Sequence, residues 1–312
     1  MDTTRGMFAA VATPIHQDGT LDGRGFDRLV GFLTGAGVDG LCIGGATGEY
    51  PHFETSERTA VIRRAAALMP AGQALLVGVG SSSMRRVQEL GEAAVAAGSR
   101  ALLLAMPMFF RYEQDDLRAF CAETSRALRA PCLLYDLPSF TNGLAPETVL
   151  ALLRDEEYIV GIKDSGGRVA NLAAFESARQ SRGPAAQGAV KPWTLLVGDD
   201  ALLDRGLHAG WDGGVSGVAG FCPELLVGLH RTFREGGDTT RLQTLLDELI
   251  RHLSPFPTPW GIRAGLAARG LATGPWPLPL TPARVAQLRD FQQWFPAWLE
   301  GTGLTGAVMI PD

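Results

Sequence analysis

Eight short apolar segments, spaced through the first 220 residues, constrain the fold of this chain more than any other feature. Each is almost continuously apolar rather than alternating with polar residues, which is typical of parallel strands covered on both faces. The segments are residues 7–13, 40–44, 74–80, 101–106, 132–137, 159–163, 194–198 and 213–217. The pattern predicts an α/β fold, a (β/α)8 TIM barrel. An open doubly wound sheet is the alternative, because periodicity alone does not count strands reliably.

Amphipathic stretches of helical length lie between the apolar segments, for example residues 56–68, 84–97 and 116–128. Three Ala-Gly pairs follow such stretches. Because a left-handed C-terminal cap favours glycine, these pairs predict helix ends at Gly37, Gly98 and Gly210.

The chain changes character after the eighth apolar segment. Helical patterns at residues 223–233, 242–253, 260–269 and 282–299 are separated by Gly-rich and Pro-rich breaks. We therefore expect a barrel core over residues 1–222 and, over residues 223–312, the last barrel helix and a C-terminal helical extension. Four of the six tryptophans lie in this second part, where packing of the extension or a subunit contact explains them better than ligand binding.

Composition excludes several classes of protein. The chain has 312 residues, of which 46% are hydrophobic and 20% charged, as in ordinary globular proteins. A net charge of −5 and the lack of basic runs predict no nucleic acid partner, and no apolar run reaches membrane-spanning length. The first residues lack the pattern of a secretory signal. Four scattered cysteines without CxxC spacing favour buried thiols in a reducing compartment, and hence a cytoplasmic protein.

Lysine is scarce in this chain, which makes one lysine informative. Only two lysines occur against 26 arginines, and Lys163 ends the sixth apolar segment. A lysine can lose its proton whereas an arginine cannot, and a neutral amine attacks a ketone to form a Schiff base. Burial among apolar residues is therefore expected to lower the pKa of Lys163.

Other polar groups also follow predicted strand ends, which is where the active sites of TIM barrels lie. The second segment leads into the glycine-rich residues 44–49, whose main-chain N–H groups can approach a small anion closely. The fifth segment contains Tyr135 near its end. An amine, a phenol and an anion-binding turn are thus predicted to meet at one barrel mouth.

In this order and spacing, the motifs resemble those of the Schiff-base pyruvate aldolases and lyases, a family that includes dihydrodipicolinate synthase and N-acetylneuraminate lyase. Residues 45–49 (Gly-Ala-Thr-Gly-Glu) resemble the family's G-[ST]-T-G-E, and residues 135–138 (Tyr-Asp-Leu-Pro) resemble Y-N-x-P. Residues 161–164 (Gly-Ile-Lys-Asp) resemble G-[IL]-K-[DE], and residues 214–219 are similar to the strand-eight pattern G-V-[SI]-G-L-A. The resemblance runs from Phe8 to about Pro223, and more loosely beyond.

The resemblance implies roles for five residues. Lys163 would form an iminium with the C2 ketone of pyruvate or another 2-oxo acid, and Tyr135 would carry protons. The N–H groups of Ala46 and Thr47, with the Thr47 hydroxyl, would hold the substrate carboxylate. The carbonyl of Val215 would lie near the lysine. The family implies no cofactor and no metal, and its members are commonly homo-oligomers, either dimers or tetramers.

The chain also departs from the synthase branch of this family at three positions. Phe140 stands where the synthases have an arginine that binds the carboxylate of the second substrate. Ala46 lacks the first hydroxyl of the family's Thr-Thr pair, and Phe109 replaces a tyrosine of the synthase proton relay. An apolar side chain cannot compensate the charge of a carboxylate that enters a closed site.

These departures favour an aldolase or dehydratase acting on a 2-keto-3-deoxy sugar acid or a related 2-oxo acid, with pyruvate as product or bound substrate and an aldehyde or sugar acid as its partner. The apolar Met108, Phe109 and Phe140 leave a less polar, aromatic aldehyde as an option. A 4-hydroxy-tetrahydrodipicolinate synthase and a non-catalytic 2-oxo-acid-binding protein are the alternatives. A metal-dependent aldolase is disfavoured, because the five histidines show no ligand spacing.

Overall fold

The eight apolar segments form a closed barrel of parallel strands in the computed structural model, which describes residues 4–182, 191–271 and 273–304. The strands pair in chain order, and the first closes the ring against the eighth, with Phe8 beside Val215. The strands are β1 (Gly6–Ala10), β2 (Gly40–Ile43), β3 (Ala74–Gly78), β4 (Ala101–Ala105), β5 (Cys132–Asp136), β6 (Ile159–Asp164), β7 (Thr194–Val197) and β8 (Gly213–Ser216). The predicted barrel is confirmed, and the alternative of an open sheet is wrong.

Helices follow the strands and then continue as a C-terminal extension, as predicted. The barrel helices are α1 (Gly23–Gly35), α2 (Thr55–Leu68), α3 (Met84–Ala96), α4 (Gln114–Leu128), α5 (Pro146–Asp155), α6 (Val169–Gln180), α7 (Leu203–His208) and α8 (Pro223–Arg234). The extension contains α9 (Thr240–Leu253), α10 (Trp260–Ala268) and α11 (Pro282–Thr302). The division of the chain at residue 222 stays a prediction. No helix in the described parts of the chain is long and apolar enough to span a membrane.

Local sequence explains where many of these helices begin and end. The side chain of Asp22 accepts a hydrogen bond from the N–H of Gly25 at 2.9 Å and caps α1. At the other ends, Gly37, Gly98 and Gly210 have φ values of 81°, 77° and 98°. This left-handed conformation costs glycine little, so the three predicted helix ends are confirmed.

Apolar side chains bury both faces of the barrel. One cluster fills the inside of the ring and includes Phe8, Leu76, Leu103 and Leu196. A second cluster lies between the strands and the surrounding helices and continues under the extension. Strands covered on both faces must be apolar throughout, which explains the continuous runs in the sequence.

The tryptophans of the extension pack its helices together. Trp294 of α11 stacks on the His252 ring of α9 with ring centroids 3.6 Å apart, and the indole N–H of Trp298 donates to Glu248 at 3.0 Å. The extension is also packed onto the barrel, because Gly265 of α10 lies so close to the Phe221 ring that a Cβ there would be 2.2 Å from it. These contacts hold the extension beside the carboxyl ends of the strands.

Candidate active site

Lys163 and Tyr135 lie side by side at the carboxyl ends of neighbouring strands. The pairing of β5 with β6 places Tyr135 opposite Lys163, and the two side chains extend into the same space. The Lys163 Nζ lies 4.1 Å from the centroid of the Tyr135 ring, and only 4% of Lys163 is exposed. The barrel therefore brings together the amine and the phenol that the sequence singled out.

The pKa of Lys163 is raised, contrary to the expectation from sequence. Burial of the amine disfavours the ammonium form, but Tyr135, Cys42 and Asp200 together favour that form more strongly. An ammonium over the face of an aromatic ring is further stabilised by the ring's electrons. The prediction of a lowered pKa is wrong because it counted burial and not these neighbours. The amine must give up a proton before it can attack a ketone.

The turn after β2 presents unpaired hydrogen-bond donors to the same space. The N–H groups of Gly48 and Glu49 donate to the carbonyls of Gly45 and Ala46 at 3.1 and 3.0 Å, so the chain reverses tightly. Within the described ranges, no protein acceptor pairs with the N–H groups of Ala46 and Thr47 or with the Thr47 hydroxyl. Both residues line the cavity, so the turn offers three donors to a small anion.

A cavity of about 350 Å³ connects these groups. The cavity is also lined by Ser165, Asp199, Asp200 and Val215. Lys163 is the only lysine or arginine among the lining residues that the structure describes. The cavity therefore has one cationic group, close to the anion-binding turn.

The upper wall of the cavity is apolar and comes largely from the C-terminal extension. Its side chains are Phe140, Ile250, Leu253, Phe256 and Ile262, of which all but the first lie in the extension. Sequence reasoning identified Phe140 but not the others. In the sequence these residues are distinguished only by being apolar, which is true of any packed helix. The three-dimensional structure was therefore needed to identify them as part of the cavity wall.

Asp200 is a second group that sequence reasoning missed. Its Oδ2 accepts a hydrogen bond from the N–H of Val218 at 3.0 Å, which ties the loop after β7 to the loop after β8. Burial raises the pKa of the Asp200 carboxyl to about 6, although bonds to Ser216 and Val218 oppose that rise. The residue as a whole is half-buried and lines the cavity. The sequence signal that could have identified Asp200 is its position next to Asp199, just after the end of the seventh strand.

Asp136, the residue after Tyr135, stabilises the loop that follows β5. Its carboxylate accepts from the N–H of Leu144 at 2.9 Å and from Arg168 at 3.1 Å, so it secures the loop after β5. No cluster of three or more His, Cys, Asp or Glu side chains that could hold a metal ion occurs in residues 4–182, 191–271 and 273–304.

Comparison with known proteins identifies the family of this chain. The sequence model of the dihydrodipicolinate synthetase family matches residues 3–295. The chain is 33% identical over 248 residues to the probable 2-dehydro-3-deoxy-D-pentonate aldolase YjhH of Escherichia coli K12, which covers 79% of each chain. It is 32% identical over 282 residues to the 4-hydroxy-tetrahydrodipicolinate synthase of Sorangium cellulosum, covering 89% of this chain and 90% of that one.

A solved structure extends the likeness to three dimensions. YagE of E. coli K12, a prophage protein of the dihydrodipicolinic acid synthase family crystallised with pyruvate, superposes with a TM-score of 0.85 at 26% identity, covering 95% of this chain and 98% of that one. The predicted class, a Schiff-base lyase, is confirmed by these relatives. The chain belongs to the dihydrodipicolinate synthetase family.

Proposed function

We propose that this protein is a Schiff-base aldolase that cleaves a 2-keto-3-deoxy sugar acid into pyruvate and an aldehyde, and that Lys163 is its nucleophile. The observation that carries the proposal is the buried Lys163 amine, which lies over the Tyr135 ring in a cavity that the anion-binding turn also lines. The names of the E. coli aldolase relative and of the pyruvate complex of YagE support the same substrate class.

In the proposed reaction, the Lys163 ammonium first loses a proton to solvent. The neutral amine attacks C2 of the 2-oxo acid, and Tyr135 donates its phenolic proton to the hydroxyl that leaves the carbinolamine, which gives water, an iminium and the Tyr135 phenolate. The C3–C4 bond then breaks, its electron pair moves into the iminium to form an enamine, and Tyr135 takes the proton of the C4 hydroxyl. The aldehyde leaves. Protonation of the enamine at C3 and hydrolysis release pyruvate and restore the amine.

The substrate carboxylate is assigned to the turn after β2. Ala46 and Thr47 would donate their N–H groups, and the Thr47 hydroxyl would be the third donor. Such bonds from neutral donors to a charged acceptor are among the stronger hydrogen bonds in proteins. The carbonyl of Val215, on the neighbouring strand end, would accept from the lysine nitrogen during carbinolamine formation.

The charges of the cavity favour a substrate with a single carboxylate. Lys163 reacts with the ketone, the turn holds one carboxylate, and Phe140 offers nothing to a second one. Ser165, Asp199 and Asp200 can instead bind the hydroxyl groups of a sugar chain. This arrangement favours a sugar acid aldolase over the synthase, whose second substrate carries a carboxylate of its own.

Location and assembly are also proposals. All four cysteines are buried and free, which supports a cytoplasmic location. Phe109 and Phe110, after β4, are 90% and 61% exposed, and Phe109 has a positive φ of 79° that aromatic residues rarely adopt. Exposed aromatic rings in a strained loop favour a contact with a second copy of this chain, and so a homo-oligomer.

Borohydride trapping tests the proposed nucleophile. The protein is incubated with pyruvate, reduced, digested and mapped by mass spectrometry. Because Lys191 is the only other lysine of the chain, the adduct site is unambiguous, and Lys191 serves as the internal control. We expect the adduct on Lys163 and none in Lys163→Ala; a wild-type protein without adduct on Lys163 contradicts the proposal.

A panel of 2-keto-3-deoxy acids, with pyruvate detection, tests turnover. We expect sugar acids to release pyruvate, and Tyr135→Phe to slow release by about 10²–10⁴-fold, the usual contribution of a general acid–base group. If the enzyme instead condenses pyruvate preferentially with aromatic aldehydes in the reverse reaction, the apolar wall of the cavity determines which aldehyde is accepted. Trapping without turnover of any acid would favour the non-catalytic binding protein.

A further inference from the structure

We propose that Arg263 of the C-terminal extension is a positioning residue: through Glu49 it holds the turn after β2 in the shape that binds the substrate carboxylate. The proposal rests on the function proposed above for Ala46 and Thr47. It concerns an ion pair between segments more than 200 residues apart.

The backbone at Glu49 is held in an unfavourable conformation. Glu49 ends the turn and has a φ of 54°, in the left-handed region that few residues other than glycine, asparagine and aspartate adopt. Such a conformation persists where the surrounding structure imposes it. The Glu49 side chain is buried, so the restraint comes from the interior of the protein and not from the loop alone.

Arg263 supplies that restraint. Its Nη1 donates to the Glu49 Oε2 at 2.7 Å, and the side chains of the two residues are 2% and 7% exposed. The Nη2 donates to the carbonyl of Gly274 at 3.2 Å and to that of Pro275, while the guanidinium lies 4.9 Å from the Trp276 ring centroid. Arg263 therefore joins the turn both to α10, which carries it, and to residues 274–276 of the extension.

The ion pair is placed to act on substrate binding. The preceding residues of α10, Gly261 and Ile262, line the active-site cavity, so the same helix forms a wall of the cavity and fixes the turn. On the barrel side, the Thr13 hydroxyl donates to the carbonyl of Gly48 at 2.9 Å. Thr13 and Arg263 thus hold the two residues that follow the proposed donors Ala46 and Thr47.

Loss of the ion pair is expected to loosen the turn and separate its donors. Hydrogen bonds weaken steeply when their geometry is lost. The affinity for the carboxylate of any 2-oxo acid should therefore fall, whereas the amine of Lys163, on the opposite side of the barrel mouth, keeps its reactivity. A purely structural role would lower thermal stability without this selective loss of affinity.

The chain offers a matched control for this test. Arg269, just after α10, forms a similar pair with Glu224 at 2.7 Å, with side chains 11% and 7% exposed, but lies outside the cavity lining. We would compare Arg263→Met, Glu49→Gln and Arg269→Met with the wild type. The measurements are Tm, the apparent Kd for pyruvate in borohydride trapping, and the trapping rate at saturating pyruvate.

We expect all three variants to lower Tm, but only Arg263→Met and Glu49→Gln to raise the apparent Kd for pyruvate, by about tenfold, equivalent to the loss of one ordinary hydrogen bond. Their trapping rates at saturating pyruvate should stay within about threefold of the wild type, a margin too small to reflect loss of a catalytic group. Arg263→Lys should recover part of the affinity, because it keeps the charge but not the forked geometry.

An unchanged apparent Kd in Glu49→Gln and Arg263→Met, with Tm lowered as in Arg269→Met, would overturn the inference. Should Arg263→Met fail to fold, Glu49→Gln decides by the same comparison. Absence of any adduct in the wild type is a different result, since it contradicts the proposed Schiff-base function itself.

Discussion

The Lys163 amine retains its proton at neutral pH because Tyr135, Cys42 and Asp200 outweigh the effect of its burial on its pKa. Only the neutral amine attacks a ketone. We therefore expect the rate of imine formation with subsaturating pyruvate to rise with pH, by about tenfold per pH unit while the ammonium form dominates.

This pH profile is measured between pH 6 and 9, with enough reductant that imine formation limits trapping. Tyr135→Phe removes the group that raises the Lys163 pKa most, so its profile should shift to lower pH. A wild-type rate that does not change over this range would mean that the resting amine is already neutral.

Asp200 is expected to lower the stability of the protein at neutral pH. Burial raises the pKa of its carboxyl from 3.8 to about 6, so the folded state binds the proton more tightly than the unfolded state. The stabilising contribution of this proton is complete below pH 4 and is lost as the pH rises through 6. Asp200→Asn should therefore stabilise the protein at pH 8 by about 1–2 kcal/mol, a value reduced for the partial exposure of the residue.

Urea unfolding at pH 8 and pH 5 tests this expectation. The gain in the free energy of unfolding should fall by about half at pH 5, where the folded state is already mostly protonated. A gain that is equal at both pH values would show that the substitution acts through packing and not through charge.

At the scale of elements, two glycines near the end of α1 differ in backbone conformation, and we expect alanine to affect stability in opposite directions at the two positions. A Cβ on either Gly35 or Gly37 would meet no atom within 4 Å, but Gly37 has a φ of 81° and Gly35 lies within the helix. Gly35→Ala should stabilise the protein by about 0.4–1 kcal/mol, because alanine reduces the entropy of the unfolded chain.

Gly37→Ala should destabilise the protein by about 1–2 kcal/mol, because the cap requires the left-handed conformation. The two variants serve as controls for each other in thermal or urea unfolding, since neither creates a steric clash. We expect the changes in the free energy of unfolding to have opposite signs. A loss of stability in both variants would mean that the space around Gly35 is not open in solution.

Helix and strand positions were predictable because their signals are local. The sixth strand was predicted over residues 159–163 and spans Ile159–Asp164, and the glycine caps lie where the Ala-Gly pairs placed them. Within the extension, helices also matched their patterns. The sequence did not predict that the segment between α9 and α10 folds over the barrel mouth. Its apolar residues would suit any buried surface equally well.

At the scale of the whole molecule, the exposed aromatic loop after β4 is the surface that we propose for self-association. We expect Phe109→Ser combined with Phe110→Ser to weaken self-association, because the two rings are 90% and 61% exposed and lie in edge contact 4.9 Å apart. Size-exclusion chromatography with light scattering measures the change in mass over a concentration series.

Leu278→Ser provides the control for this experiment. Leu278 is 64% exposed and belongs to the extension rather than to the aromatic loop. It should leave the mass unchanged. An unaltered oligomer in the double phenylalanine variant would place the subunit contact elsewhere on the surface.

The order of apolar runs determined the barrel, because continuous apolar strands can be buried only when both of their faces are covered. That order, with the barrel's rule that strand ends meet at one mouth, also brought Lys163, Tyr135 and the turn after β2 together. Only the tertiary structure decided the charge of Lys163, the place of Asp200 and the pairing of Arg263 with Glu49. Each of these depends on groups far apart in the chain, and electrostatic and packing energies follow distance in space, which the linear sequence does not record.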